Sequence, residues 1–235
     1  MSISISSEKE NLNLVQLNYQ QSLIEPVEDF FKRFGIKMAS ILLLIISTYR
    51  LTDIVMGPMA NPFYIDMGYT LSEIGYVVKV IALIGTIIGV FIGGMLIKKV
   101  GLYKSLLIGA FLVMFTNLLF SYAAINDKDV IMLASIVASD SFAAGIVGTV
   151  NITFLTSLVS SKYTGFQYAL LTSLMAFLGK IFGGFSGVLV ENFQSLYGFN
   201  YGWMSFYIFT SILAIPAICL IYFNKNFFFK HASSN

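Results

Sequence analysis

The sequence has little of the chemistry on which most enzymes depend. Among its 235 residues there is one cysteine, Cys219, and one histidine, His231. One of each cannot form a disulfide, a cluster of metal ligands, or a Ser-His or Cys-His pair within the membrane. No Gly-rich nucleotide-binding loop follows a strand pattern. We therefore expect a protein that is not an enzyme and that holds no metal and no cofactor.

Charge is scarce as well. Charged residues make up 11% of the chain, hydrophobic residues 57%, and the mean hydropathy is +0.81, whereas a soluble domain is about 25% charged. Windows of about 20 apolar residues, the length that crosses a bilayer as a helix, predict an all-α membrane protein with six transmembrane helices. These spans are 38–60, 73–97, 102–124, 130–157, 166–190 and 203–224.

The predicted domain organisation is an N-terminal segment 1–35, a transmembrane domain 36–224 and a tail 225–235. The N-terminal segment lacks the apolar core and cleavage site of a signal peptide, so we expect no removable one. Within it, 25–34 begins with Pro26 and acids and ends with bases, which is typical of a short amphipathic helix. Its aromatic face fits the membrane surface, although a solvated linker would explain the same residues.

Positive charges predict the orientation of the chain. The connections 61–72, 125–129 and 191–202 together hold only Lys128. The other basic residues outside the spans fall on the opposite side, where an excess of Lys and Arg marks the cytoplasm, so both termini are expected there. These residues are Lys32, Arg33, Lys37, Lys98, Lys99, Lys104, Lys162, Lys225 and Lys230.

Two of the predicted spans carry glycine at every fourth position. Such faces let helices approach closely in lipid, so we assign these glycines to helix packing. The second and fifth spans are each the middle of a three-helix set, and they run in opposite directions. We therefore predict two inverted three-helix repeats. The glycines are Gly85, Gly89 and Gly93 in the second span and Gly179, Gly183 and Gly187 in the fifth.

Five ionisable residues lie inside the predicted spans: Arg50, Asp53, Lys79, Asp140 and Lys180. A charge near the bilayer centre costs at least ~2.5 kcal/mol, so such residues usually face a cavity and handle a solute, an ion or a proton. Arg50 and Asp53 are three residues apart and share a helix face, where they can pair when no substrate is present. Structural ion pairing, or snorkelling of Lys79 to the interface, would also account for these charges.

The end of the first span contains two prolines, Pro58 and Pro62. Each proline removes a backbone donor, so we expect the helix to break there. A gate near a cavity is one interpretation of such a break, and an ordinary helix end at the interface is the other. Downstream, Thr70 and Glu73 have the spacing of a capping box at the start of the next helix.

Several motifs resemble known transporter families. The Gly-rich, basic run 93–104 resembles the cytoplasmic loop after the second helix of each half in the major facilitator superfamily, although Lys98 stands where that motif has an acid. A more specific resemblance, over about 26–215, is to the C-terminal half of AmpG-type muropeptide permeases. It is carried by 26–34, Asn61-Pro62-Phe63, 68–75 with Lys79, 116–120, 167–171 and Gly202-Trp203.

This resemblance implies half of a major facilitator fold and a function. The function is import of anhydro-muropeptides across the bacterial inner membrane for peptidoglycan recycling, driven by the proton gradient. In the family pattern, basic residues match Lys79 and Lys180 and an acid matches Asp140. We expect Arg50, Lys79 and Lys180 to bind the anionic solute. Asp53 and Asp140 are expected to carry or modulate proton coupling, because a carboxyl group removed from water is protonated more readily.

The resemblance also implies that a second half is needed, since family members have about twelve helices in two six-helix halves. A separately encoded N-terminal half, a second copy of this chain, or a remnant that transports nothing are the alternatives. A six-helix channel subunit and a non-transporting partner subunit are further interpretations, but no selectivity filter or Arg array is evident. The expected partners are the bilayer and a sugar-peptide solute, and no nucleic acid.

Overall fold

The structure, a computed structural model, describes the backbone of residues 2–232 and the side chains of residues 23–228. Met1 and the end of the predicted tail, 233–235, lie outside the described residues. All regular structure in the described range is helical, including one π-helical turn, Val77–Ile81. The α-helices are α1 (Ser2–Tyr49), α2 (Leu51–Asp66), α3 (Leu71–Tyr76), α4 (Ala82–Ala123), α5 (Val130–Leu158), α6 (Thr164–Gly184), α7 (Ser186–Tyr197), α8 (Phe199–Ile212), α9 (Ile215–Phe223) and α10 (Lys225–Ala232).

Five segments of the described chain are long and apolar enough to cross a membrane. The predicted second and third spans fall together in one of them, which has 53 residues. About 20 residues suffice for one crossing, so this segment is much longer than a single crossing requires. The five segments are Leu23–Asp66, Leu71–Ala123, Val130–Leu158, Thr164–Tyr197 and Phe199–Phe223.

Gly101 divides the 53-residue segment. Its φ of 83° interrupts α4 with a conformation that glycine adopts readily and other residues avoid. Before this point Gly93 packs against Ile146 of α5, and after it Gly109 packs against Val147 of the same helix. A straight helix would hold residues 93 and 109 about 24 Å apart. The chain therefore turns back at Gly101, and both arms of α4 lie beside α5.

The prediction that prolines end the first helix is wrong. α2 continues through Pro58 and Pro62 to Asp66. Pro58 removes only the hydrogen bond to the Ile54 carbonyl, and a membrane helix tolerates this where a neighbouring helix packs against the freed carbonyl. Gly183 of α6 lies at that position, because a Cβ on it would be 2.9 Å from the Ile54 oxygen. The interruption lies instead at Arg50, whose φ of −101° and ψ of 1° separate α1 from α2.

The glycines of the second predicted span bring α4 against α5. A Cβ at Gly85 would lie 3.1 Å from a backbone oxygen of α5, and one at Gly89 would overlap the Phe142 carbonyl. The α5 residues that they meet advance along that helix in the same order as the glycines. The arm of α4 before Gly101 and α5 therefore run side by side in the same direction, with almost no space between their backbones.

The glycines of the fifth predicted span, Gly179 and Gly183 in α6 and Gly187 in α7, face α2. Gly179 packs against the Ile54 side chain and Gly183 against the Ile54 carbonyl. Gly187 is less tightly packed, since the nearest atom to its Cβ position is the Met59 methyl group at 3.9 Å. Two of the three glycines in this predicted stripe thus mark a close contact between α6 and α2.

The segment before the first span docks on the helices of the protein. Phe30 is only 5% exposed, and the Phe30 and Phe34 rings lie 5.0 Å apart. Phe34 in turn contacts Phe227 near the C-terminus, with 5.7 Å between ring centroids. Gly35, at φ 71°, bends α1 immediately after these residues. Residues 25–34 are helical, but as part of α1, with Pro26 inside the helix and not at its first turn. Their aromatic face packs against protein.

A buried amide, Gln167, joins this segment to the connection between α5 and α6. Its Nε2 donates to the Pro26 carbonyl at 2.7 Å and to the Asp29 carboxylate at 2.9 Å. Its Oε1 accepts from the Arg33 guanidinium at 2.9 Å and from the Ser160 backbone N–H at 2.7 Å. Gln167 is 1% exposed, and these four bonds satisfy its amide in full.

Short polar contacts also close the opposite end of the helices. The capping box predicted at Thr70 and Glu73 is confirmed, and Lys128 bonds to the same Glu73 carboxylate at 2.8 Å. The Tyr69 hydroxyl donates to the Asp129 carbonyl at 2.9 Å. Burial raises the pKa of Tyr69, so this phenol remains a neutral donor at physiological pH. Together these contacts tie the start of α3 to the start of α5.

We expect a methyl group at position 89 to force α4 away from α5. Gly89→Ala should lower the free energy of unfolding by about 1–3 kcal/mol, the usual cost of overpacking. Gly94→Ala is the matched control, because a Cβ at Gly94 meets nothing within 4 Å, and it should be neutral or slightly stabilising. Thermal unfolding in detergent, followed by circular dichroism, measures both variants. Equal melting temperatures would contradict the close contact.

Gln167 allows a second matched comparison. Gln167→Leu leaves the Ser160 N–H and the Pro26 carbonyl without their partner, so it should cost about 2–4 kcal/mol. Gln194→Leu should be neutral or stabilising, because the Gln194 Nε2 atom is buried without a hydrogen-bond partner among the described residues. Chemical unfolding in micelles compares the two leucine variants. A Gln167 variant as stable as the Gln194 variant would show that the four bonds contribute little.

Candidate functional site

A cavity of about 280 Å³ lies between α2, α5 and the junction of the π-helical turn with α4. Three of the five ionisable residues singled out in the sequence line it: Arg50, Asp53 and Asp140. Gly57 also lines it, and a Cβ at this position would meet nothing within 4 Å. The cavity thus carries charged groups on a partly apolar wall and is open along the middle of α2.

Arg50 and Asp53 form the ion pair that their spacing predicts. The Arg50 Nε and Asp53 Oδ2 atoms are 3.2 Å apart, and the two side chains are 29% and 20% exposed. The contact lacks hydrogen-bond geometry, and this Oδ2 atom has no hydrogen-bond partner among the described residues. The pair lies at the interruption between α1 and α2. It is therefore a charge contact that leaves hydrogen-bonding capacity on both partners.

Asp140 faces the same cavity from α5. No ion pair joins it to a basic side chain of residues 23–228, although the Thr116 hydroxyl of α4 lies beside it. Asp53 is close enough to interact with it electrostatically. The cavity therefore holds one guanidinium and two carboxyl groups, which gives it an excess of acidic over basic groups.

The structure does not bring Lys79 and Lys180 to this cavity. Both side chains are exposed, and neither lines it. Lys79 lies in the π-helical turn, directly after Val78, which does line the cavity. Lys180 lies on α6 beside Gly179, on the helix that packs against α2. Each lysine is thus on an element next to the cavity but outside it.

Three uncharged polar residues in the lining were missed by the sequence reasoning: Asn61, Tyr64 and Ser141. A signal for the first two was present. Positions 50, 53, 57, 61 and 64 recur at the spacing of one helix face, so the face that carries Arg50 and Asp53 also carries Asn61 and Tyr64. Ser141 follows Asp140 directly. Single neutral polar residues are common in membrane helices, so these three residues do not stand out in the sequence as charged residues do.

Metal chemistry finds no support among the described side chains. No group of three or more His, Cys, Asp or Glu residues in residues 23–228 is arranged to hold an ion. The carboxyl groups of Asp53 and Asp140 are the two acids in the cavity lining. The arrangement suits the binding of a charged solute or a proton.

No protein-family model matches the chain, but curated proteins do. Two proteins, each named "Putative transporter AmpG 4", come from Rickettsia felis and Rickettsia conorii. They are 34% and 32% identical over 219 and 218 residues, which is 92% of this chain and 50% of each relative. Most of this chain is homologous to half of an AmpG-type transporter.

A further relative has a name that specifies a solute. The "Anhydromuropeptide permease" of Escherichia coli (strain K12) is 29% identical over 204 residues, 86% of this chain and 39% of that protein. The chain spans about half the length of the curated relatives it matches. All three relatives are named as transporters or permeases and none as an enzyme. With its apolar helices, the chain is a multi-pass membrane protein related to transporters.

The Arg50–Asp53 contact leads to a prediction about stability. Asp53→Asn leaves Arg50 without its counter-charge in a partly buried site, which should cost about 1–3 kcal/mol of unfolding free energy. The double variant Arg50→Gln with Asp53→Asn should cost less than the sum of the two single variants, because no charge is then left unpaired.

An exposed ion pair is the control for this cycle. Glu28→Gln breaks the contact between Glu28 and Lys32, whose side chains are 55% and 76% exposed, respectively. It should change stability by about 0.5 kcal/mol or less. Equilibrium unfolding in detergent measures all four variants. Strict additivity of the Arg50 and Asp53 substitutions would show that the two side chains do not interact.

Proposed function

We propose that this chain is one half of a proton-coupled permease that imports anhydro-muropeptides across the bacterial inner membrane for peptidoglycan recycling. The observation that carries the proposal is the cavity with Arg50, Asp53 and Asp140 in a chain homologous to half of AmpG-type transporters. Ionisable groups are costly at membrane depth and usually serve transport when they line a cavity. Both termini are taken to lie in the cytoplasm.

Six crossings in two inverted three-helix repeats are part of this proposal. The turn at Gly101 divides one of the five apolar segments into two crossings. The glycines of the second crossing then pack on the fourth, which is α5, and those of the fifth, which is α6, pack on the first. If crossings one to three are exchanged with crossings four to six, the contact between crossings two and four becomes the contact between crossings five and one, and the reverse. This reciprocity supports an internal repeat.

The Arg50–Asp53 contact supplies a route from solute binding to proton uptake. A carboxylate of the solute competes with Asp53 for Arg50, whose guanidinium has donors to spare because the existing contact lacks hydrogen-bond geometry. Displaced Asp53 then faces Asp140 without its counter-charge. Two neighbouring carboxyl groups in a partly dry site favour holding a proton between them. Solute and proton would therefore enter together.

A second half would complete the site. The arm of α4 before Gly101 and helix α6 expose many large apolar side chains, and Lys79 and Lys180 lie exposed on or beside these elements. In the proposed assembly a separately encoded N-terminal half, or a second copy, covers part of these faces and brings the two lysines toward the solute. The exposed apolar residues include Leu83, Ile84, Ile87, Phe91, Phe177, Ile181, Phe182 and Phe185.

The test is uptake of radiolabelled anhydro-muropeptide by a bacterium that lacks its own permease for this solute. The chain is expressed alone and together with a six-helix first half. We expect accumulation that collapses when a protonophore is added. Asp53→Asn combined with Asp140→Asn should abolish accumulation, because neither of the two introduced amides can bind and release a proton.

Asp127→Asn is the matched control, since Asp127 is exposed and outside the cavity. It should accumulate solute as the wild type does. Unchanged proton-driven accumulation in the Asp53 and Asp140 double variant would contradict the assigned coupling role. Failure of uptake in both the single-chain and the two-chain strains would favour a remnant or a non-transporting partner subunit.

A further inference from the structure

The uncharged part of the cavity lining is free to bind a ligand. Tyr64 and Ser141 are 5% and 9% exposed, and Asn61, which is exposed, lines the same cavity. No hydrogen bond to a residue of the described part of the chain involves the Asn61 amide, the Tyr64 hydroxyl or the Ser141 hydroxyl. Buried polar groups normally have partners, and those that lack them in a cavity are candidates to bond a solute.

The positions of these groups relative to Arg50 follow from the helices. Arg50 and Asn61 are eleven residues apart on one face of α2, which is about 16 Å along the helix axis. Tyr64 shares a core cluster with Val137 of α5, while Tyr49, next to Arg50, shares the other core cluster with Val147. α2 and α5 therefore run antiparallel along the cavity. Arg50 marks one end, and the neutral groups extend from the middle toward the other.

Small residues keep the path between the two ends open. Gly57 and Ala60 line the cavity between Arg50 and Asn61, and a Cβ at Gly57 would meet nothing within 4 Å. The opposite wall of the cavity carries Asp140 next to Ser141. Arg50 is the one basic side chain among the described residues of the lining, so the solute's negative charge belongs at the Arg50 end. The far end favours groups that donate and accept hydrogen bonds without charge.

We propose that Asn61, Tyr64 and Ser141 form a neutral hydrogen-bonding subsite for the hydroxyl and amide groups of an N-acetylated amino sugar whose carboxylate binds Arg50. This inference rests on the proposed function and adds the residues that recognise the uncharged part of the solute. The amide of Asn61 and the two hydroxyls can each both donate and accept, which matches a sugar edge. The ring of Tyr64 stacks on Phe120, with centroids 6.1 Å apart, which fixes the direction of its hydroxyl.

The test measures equilibrium binding of two probes to the chain co-purified with the six-helix first half used for the uptake experiment: an N-acetylated muramic-type sugar acid and its methyl ester. Wild type should bind the acid more tightly than the ester. Asn61→Ala and Ser141→Ala should each weaken both probes by about 3- to 10-fold, the value of one neutral hydrogen bond. The ratio of acid to ester affinity should stay unchanged in both variants. Arg50→Gln should instead bring the ratio of acid to ester affinity close to one.

Two further variants separate recognition from folding. Gly57→Leu should block both probes, because its side chain would extend into the open middle of the cavity, where a Cβ at position 57 meets nothing within 4 Å. Asn192→Ala removes an exposed amide outside the cavity and should bind both probes as the wild type does. Melting temperatures of the Asn61, Ser141, Gly57 and Asn192 variants should lie close to that of the wild type.

The outcomes distinguish the two proposals. If wild type binds neither probe, or binds acid and ester equally, the proposed function fails and this inference fails with it. If wild type prefers the acid but the Asn61 and Ser141 variants bind both probes as tightly as wild type does, the neutral subsite alone is wrong. A change in the acid-to-ester ratio in the Asn61 variant would also overturn the subsite, because it would place the carboxylate at that end.

Discussion

The contact between Arg50 and Asp53 is the interaction on which the cavity depends. It lies where α1 stops and α2 begins, and a break in a helix at membrane depth needs groups that satisfy its charges and backbone from within the protein. The break turns the face of α2 that carries Gly57, Asn61 and Tyr64 toward α5. Without the pair, a lone guanidinium would stand in a mostly apolar surrounding. Arg50 and Asp53, whose charges are costly to bury at membrane depth, thus hold the cavity in place.

Glycine contacts form the frame around this pair. α6 approaches α2 so closely that Gly183 meets the Ile54 carbonyl, one residue after Asp53, and α4 meets α5 through Gly89 beneath Phe142. In lipid there is no hydrophobic drive between helices, so close packing of this kind carries much of their association. The same contact also accommodates Pro58, since the carbonyl that loses its partner is covered by a neighbouring helix. Packing and site geometry are therefore set by the same few residues.

The features that sequence predicts here are local ones. Apolar windows, the Thr70–Glu73 capping box and the pairing of Arg50 with Asp53 depend on residues within a few positions of one another, so their spacing is enough. The continuity of α2 depends on Gly183, and the docking of 25–34 depends on Gln167, both more than a hundred residues away. Such contacts leave no periodic signal. The positions of Lys79 and Lys180 outside the cavity are likewise set by contacts between residues that are distant in the sequence.

The amide of Gln167 has a consequence for the order in which the protein assembles. Two of its four bonds reach Pro26 and Asp29, which precede it by 141 and 138 residues. At roughly 5–20 residues per second, a ribosome needs on the order of ten seconds to make the intervening chain. During that interval the earlier segment has no Gln167 to bind, although its aromatic face is already complete. Docking of that face through Gln167 therefore has to wait until α6 has been made.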